Sequence, residues 1–180
     1  MKRFASLLGI LAVLAACGGG GGNGPTEPPP TPPPAQSLTF TPAGSPGSDA
    51  LVLTRQGAGS DTLMLALEAR EVDNVYGVFF DLAFPAAVLD FQSADAGSFL
   101  TAGGADVSLQ VAEQDGNLVM GISRLGLVGG VSGSGTVLTL TFQVRAAGSG
   151  PLDFARNGAI DPNGGSADVS WFGGSVTSVR

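Results

Sequence analysis

From residue 37 onward, apolar and polar positions alternate with a period of two, the repeat of a β-strand that buries one face. Leu63, Leu65 and Leu67 alternate with Thr62, Met64, Ala66 and Glu68. Tyr76, Val78, Phe80, Leu82 and Phe84 make one face of a long strand, and Gly77, Phe79, Asp81 and Ala83 make the other. Val107, Leu109 and Val111 repeat the pattern, as do Leu118, Met120 and Ile122. Between those two runs stands Asp115-Gly116-Asn117, turn chemistry that predicts a hairpin. A further long strand points Leu138, Leu140, Phe142 and Val144 one way and Val137, Thr139, Thr141 and Gln143 the other. Shorter strands are expected at 38–41, 51–54, 88–92, 152–154 and 169–172, while the Ala-rich piece at 93–96 reads as a helical turn at most. Strands at this spacing, separated by Gly, Pro, Asn and Asp clusters and without an amphipathic helix, predict an all-β sandwich with one shared core.

The first 36 residues follow other rules. Met1, Lys2 and Arg3 form a basic start, and Phe4 to Ala16 is a 13-residue apolar stretch, short of the ~20 helical residues a bilayer core needs. It reads as a signal peptide, residues 1–16, ending in Leu14-Ala15-Ala16-Cys17. That ending resembles the lipobox of bacterial lipoproteins, which implies lipid attachment at Cys17 and cleavage before it. Three acyl chains, as the resemblance implies, hold far more firmly than the marginal grip of one. Gly18 is not the Asp associated with inner-membrane retention, so an outer-membrane or cell-surface place in the bacterial envelope is expected. Residues 17–36 then form a spacer. It is Gly-rich to Gly24, and seven of the ten residues from Pro25 to Pro34 are Pro, an extended run of roughly 30 Å. The remainder, 37–180, is expected to be one domain.

Composition narrows the chemistry. The 180 residues hold no His and one Cys, and their formal charge is −7. Loss of the leader removes Lys2 and Arg3, the former being the sole Lys, and makes the charge two units more negative. Such a surface does not suit nucleic acid, whose recognition rests on clustered Lys and Arg. Without His, Lys or a thiol in the domain, the Ser-His-Asp, Cys-His and Ser-Lys nucleophile systems are excluded. Only carboxylate pairs remain, such as Glu71 with Asp73 or Asp81 with Asp90, and these fall at strand ends where solvated acids are ordinary. The stretch from Asp161 to Asp168 has the flavour of a calcium loop. Gly165 and Phe172 nevertheless occupy the fifth and twelfth positions where an EF-hand needs ligands, so a plain turn is the reading. Trp171 is the single Trp, either a sugar-stacking ring or, by preference, one of an alternating pair with Phe172 that puts one ring in the core and one on a sheet face. The strip Thr139, Thr141 and Gln143 is either a contact surface or a solvated face. No metal and no cofactor are expected.

Two halves of the domain carry a resemblance. Residues 75–91, VYGVFFDLAFPAAVLDF, followed by Gly97-Ser98-Phe99-Leu100, are similar to the early strands of the cohesin family. Residues 117–124, NLVMGISR, and 130–142, GVSGSGTVLTLTF, resemble its later strands. The likeness runs from about 51 to 179. It implies a jelly-roll β-sandwich of about nine strands, related to certain carbohydrate-binding modules. The best-known members grip dockerin modules through a sheet face whose residues vary widely, so no ligand-binding residue is carried over. Scaffoldins usually hold several cohesins, whereas this chain has one. The expectation is a non-catalytic module, tethered to the membrane only through its lipid, that attaches a dockerin-bearing protein. The alternatives are polysaccharide binding and a structural role in the envelope.

Overall fold

The structure, a computed structural model, describes residues 37–57 and 59–179; the leader, Cys17 and the spacer lie outside them. Twelve strands are present among the described residues. In chain order they are β1 (Ser37–Pro42), β2 (Ala50–Gln56), β3 (Thr62–Val75), β4 (Gly77–Ala83), β5 (Leu89–Ala96), β6 (Val107–Gln114), β7 (Asn117–Arg124), β8 (Val131–Val144), β9 (Gly148–Ile160), β10 (Ser166–Ala167), β11 (Ser170–Phe172) and β12 (Gly174–Val179). They form two sheets. One runs β1-β12-β9-β4-β7-β6 with β10 beside β9, and the other runs β11-β2-β3-β8-β5. All pairings are antiparallel except that of β11 with β2. The excess over nine strands lies partly in the two- and three-residue segments β10 and β11.

The alternation read from the sequence is the alternation of burial. Leu63, Leu65 and Leu67 on β3 face Val78, Phe80 and Leu82 on β4 across the core, and all six are buried. Leu138, Leu140 and Phe142 on β8 are fully buried, as is Leu118 on β7. Two aromatic clusters bridge the sheets. Trp171 packs against Phe154 and Phe80 at ring separations of 5.0 and 5.6 Å, and Phe142 lies 5.3 Å from Phe84. The expected hairpin is also present: Gln114 pairs with Asn117, and Asp115 and Gly116 have φ of 49° and 81°. Two successive positive φ values define a turn whose twist matches that of the strands.

Three expectations need correction. Val137, placed by strict alternation on the polar face of β8, is fully buried. Between the pairs Leu67↔Leu138 and Glu68↔Thr136 it is an extra residue, and this bulge breaks the period of two. Residues 93–96 are not a helical turn but the end of β5, paired through Ala96↔Leu138. The third is β12, which the sequence reading passed over. Its inward positions are Gly174, Val176 and Ser178, so it has little apolar signal of its own, yet it joins β1 to β9.

Among the described residues one cation is buried. Arg124, at the end of β7, donates from Nη1 to the carbonyl of Leu100 at 2.6 Å and from Nη2 to that of Ala102 at 3.0 Å. The guanidinium thereby ties down two carbonyls of the connection from β5 to β6.

Phe142→Ala empties the centre of the core and should cost about 3–5 kcal/mol in urea unfolding; a loss under 1 kcal/mol would contradict this packing. Arg124→Met removes both hydrogen bonds and should cost roughly 1–3 kcal/mol. Amide exchange should then quicken in residues 98–104 ahead of the strands, and uniform quickening would show that Arg124 does not hold that connection.

Candidate functional site

Because β4 buries Val78, Phe80 and Leu82, its other residues face outward. Phe79 is the large one, and half of its surface is exposed. Its neighbours on both sides are glycines: Gly121 on β7 and Gly158 on β9. A Cβ at Gly158 would sit 2.5 Å from Phe79 Cζ, so the ring lies across the bare backbone of β9. On the β7 side nothing occupies the space a Cβ at Gly121 would enter. The ring therefore stands beside a shallow depression of about 220 Å³ whose walls include Ser108, Gln110 and Ile160.

The next outward row holds the remaining chemistry. Asp81 pairs with Val119, which is 40% exposed, and Ala112 lies beyond it on β6. On the other side, Arg156 Nε donates to Asp81 Oδ2 at 2.7 Å. That hydrogen bond, and then the carboxylate's charge, hold the Arg156 proton more tightly than usual, against a small opposing effect of desolvation. A second depression, of about 170 Å³, separates this ion pair from Phe79 and Val119. The face is thus an aromatic knob and an aliphatic neighbour between two shallow hollows, rimmed by hydroxyls, amides and one ion pair. An apolar centre inside a polar rim is the anatomy of a contact surface.

The residues singled out in the sequence fall elsewhere. Asp81 and Asp90 lie on different sheets, each beside its own arginine, Arg156 and Arg145. Glu71 and Asp73 sit where β3 bulges. Ser134 Oγ accepts from the Glu71 amide there, and Ser132 Oγ donates to Asp73 Oδ1 at 2.6 Å. Asp161 Oδ1 accepts from the amides of Asn163 and Gly165 at 2.7 and 2.9 Å, which makes the 161–165 loop a self-satisfied turn. No set of three or more acidic, His or Cys groups among the described residues has the geometry of a metal site. Trp171 is partly buried and packs its ring against Phe154 and Phe80 of the core. Thr139, Thr141 and Gln143 line the outer face of the other sheet, where Met64 is the large exposed apolar residue.

Phe79 and Val119 were not singled out from the sequence. Each is a large apolar residue at a polar-phase position, between Val78 and Phe80 and between Leu118 and Met120. An apolar side chain out of phase in a one-face-buried strand is the signal that finds them.

Comparison with known proteins agrees with this architecture. No curated protein matches the chain. The structure is similar to a non-cellulosomal cohesin from the archaeon Archaeoglobus fulgidus, at 21% identity and a TM-score of 0.53, covering 77% of this chain and 88% of that one. It is also similar to a type II cohesin domain from the cellulosome of Acetivibrio cellulolyticus, at 15% identity and a TM-score of 0.57, covering 80% and 95%. A third is the sixth cohesin of scaffoldin B from the same organism, solved in complex with a Cel5 dockerin mutant, at 18% identity and a TM-score of 0.54, covering 70% and 96%. The family model of the cohesin domain matches residues 53–171, and the chain belongs to the cohesin family.

Proposed function

We propose that this chain is a non-catalytic docking module that holds a dockerin-bearing partner against the outer face of β9, β4 and β7. The observation that carries this reading is Phe79, a half-exposed aromatic ring on a rigid sheet with hollows on both sides. Aromatic anchors at the centre of an interface carry a large share of binding energy, because the pocket that takes them is fully desolvated. A β-sheet held by a core on its other face is already in its bound shape, which lowers the ordering cost of association. The solved cohesin in complex with a dockerin supports the partner class. Val119 widens the apolar centre, and the Asp81–Arg156 pair at its margin favours a partner with complementary polar groups there.

The rest of the proposal concerns place. Lipid on Cys17 and the Gly/Pro spacer would hold this face away from a bacterial envelope membrane, where the partner reaches it from solution. Nothing in this arrangement requires a metal or a cofactor from the cohesin chain.

Titration against a panel of purified dockerin modules tests the docking reading. Phe79→Ala should weaken binding by about 2 kcal/mol, roughly 30-fold, with an unchanged melting temperature. Thr141→Ala, on the opposite sheet, should leave affinity as it was. Equal losses from both variants, or none from Phe79→Ala, would remove the outer face of β4 from the interface. The tether is tested separately: Cys17→Ser should move the protein out of the membrane fraction and abolish the mass added by acylation. Persistence of the variant in membranes at unchanged mass would refute the lipid anchor.

A further inference from the structure

The two sheets have four edges among the described residues, and three of them are blunted. β1 ends in Pro42, and the carbonyl of Leu38 within it is taken by Arg55 Nη1. β5 carries a bulge between Phe91 and Ser93, with Asp90 and Asp95 along it. β11 has three residues. The fourth edge, β6, has one acid, Glu113, near its end, but no proline, bulge or capped carbonyl. It runs eight residues, VSLQVAEQ, without Pro, Lys, Arg or bulge, and its register with β7 is unbroken from Val107↔Arg124 to Gln114↔Asn117. Long, regular edges of this kind are templates for a further strand, and proteins ordinarily block them.

The parity of the hairpin says which groups are free. A two-residue turn closes on a hydrogen-bonded pair, here Gln114↔Asn117, so the even-numbered residues of β6 direct their N–H and C=O toward β7. The carbonyl of Asp106, which accepts from the Leu125 amide at 2.8 Å, obeys the same parity. The backbone groups of Val107, Leu109, Val111 and Glu113 therefore point off the edge. Their side chains lie on the core side of the sheet, where Val107 and Leu109 are partly buried and Val111 is 39% exposed. An added strand would cover what the sandwich leaves open there.

The geometry points to a second copy of this chain as that strand, paired antiparallel through β6 about a two-fold axis at Gln110. In this register Leu109 meets Val111 of the other copy and Val107 meets Glu113, so all four edge-directed residues are paired, each pair exchanging two N–H···O bonds. Shifting the register by two residues leaves one of the four unpaired. The charges agree with the centred register. Glu113 is the only charged residue of β6, and the two copies of it stand about 20 Å apart rather than opposite one another. On the outer face Gln110 meets Gln110, and Ala112 meets Ser108, so nothing bulky or charged opposes the approach. The axis stands perpendicular to the sheet, which sets the two Phe79 faces side by side on one surface. Bivalent display is a consequence that rests on the docking reading; the strand pairing does not.

Engineered disulfides test the register directly. In the full chain with Cys17→Ser, which removes the natural thiol, Gln110→Cys places two sulfurs at a non-hydrogen-bonded pair. The Cα atoms there are about 4.5 Å apart, within the span of a disulfide. Two copies of Ala112→Cys would be about 14 Å apart and beyond that span. Under mild oxidation Gln110→Cys should form covalent dimers at least ~10-fold faster than Ala112→Cys, which must first leave the paired geometry. Adding Val111→Lys, a charge on the core side of the edge, should abolish that difference while the melting temperature holds. Equal rates at 110 and 112, or a difference that survives Val111→Lys, would overturn the pairing. Intact cross-linking together with no dockerin binding by the Cys17→Ser chain that keeps Gln110 would instead refute only the docking reading.

Discussion

The alternation of a β-strand, locked by burial, is the constraint on which the rest of this structure depends. Once Val78, Phe80 and Leu82 are committed to the core, Phe79 and Asp81 have no choice but the outer face. A slip of one residue would bury Asp81 and expose Phe80, at the cost of an unpaired buried charge and a lost core ring. The two aromatic bridges, Trp171 with Phe80 and Phe154, and Phe142 with Phe84, fix the separation of the sheets. The outer face of β4 is thus positioned by side chains it never shows. The same rigidity that holds the core sets the height and angle of the Phe79 ring.

Glycine then shapes what alternation has placed. A side chain on either flank of Phe79 would change the face, and both flanks are bare. Gly158 lets the ring lie across β9, while Gly121 leaves the hollow on the β7 side open. Outside this apolar centre the rim is polar and carries little net charge, since Arg156 neutralises Asp81. An apolar centre within a polar rim is the anatomy of a protein–protein contact surface.

The sequence makes most of the core legible and less of the edges. Long runs such as 138–144 and 118–122 declare themselves because every inward residue is large and apolar, and Asp115-Gly116 declares its hairpin because the turn needs two positive φ values. Val137 was misplaced because a bulge is set by the partner strand, and local pattern holds no record of the partner. β12 is hidden for a different reason: it buries Gly174, Val176 and Ser178, and it is a strand because β1 and β9 both pair with it. The site lay between these extremes. Phe79 was visible as a residue out of phase, but only the sheet order shows that Gly121, Gly158 and Val119 gather around it.

Amide hydrogen exchange of the chain with and without a bound dockerin module tests the central claim most directly, because it reports on both faces at once. Docking on the outer face of β4 requires slowed exchange in β4, β7 and the neighbouring part of β9, centred on Phe79, with β2, β3 and β8 unchanged. Slowed exchange centred on β3 and β8, around Met64, Thr139 and Thr141, with β4 and β7 unaffected, would contradict it.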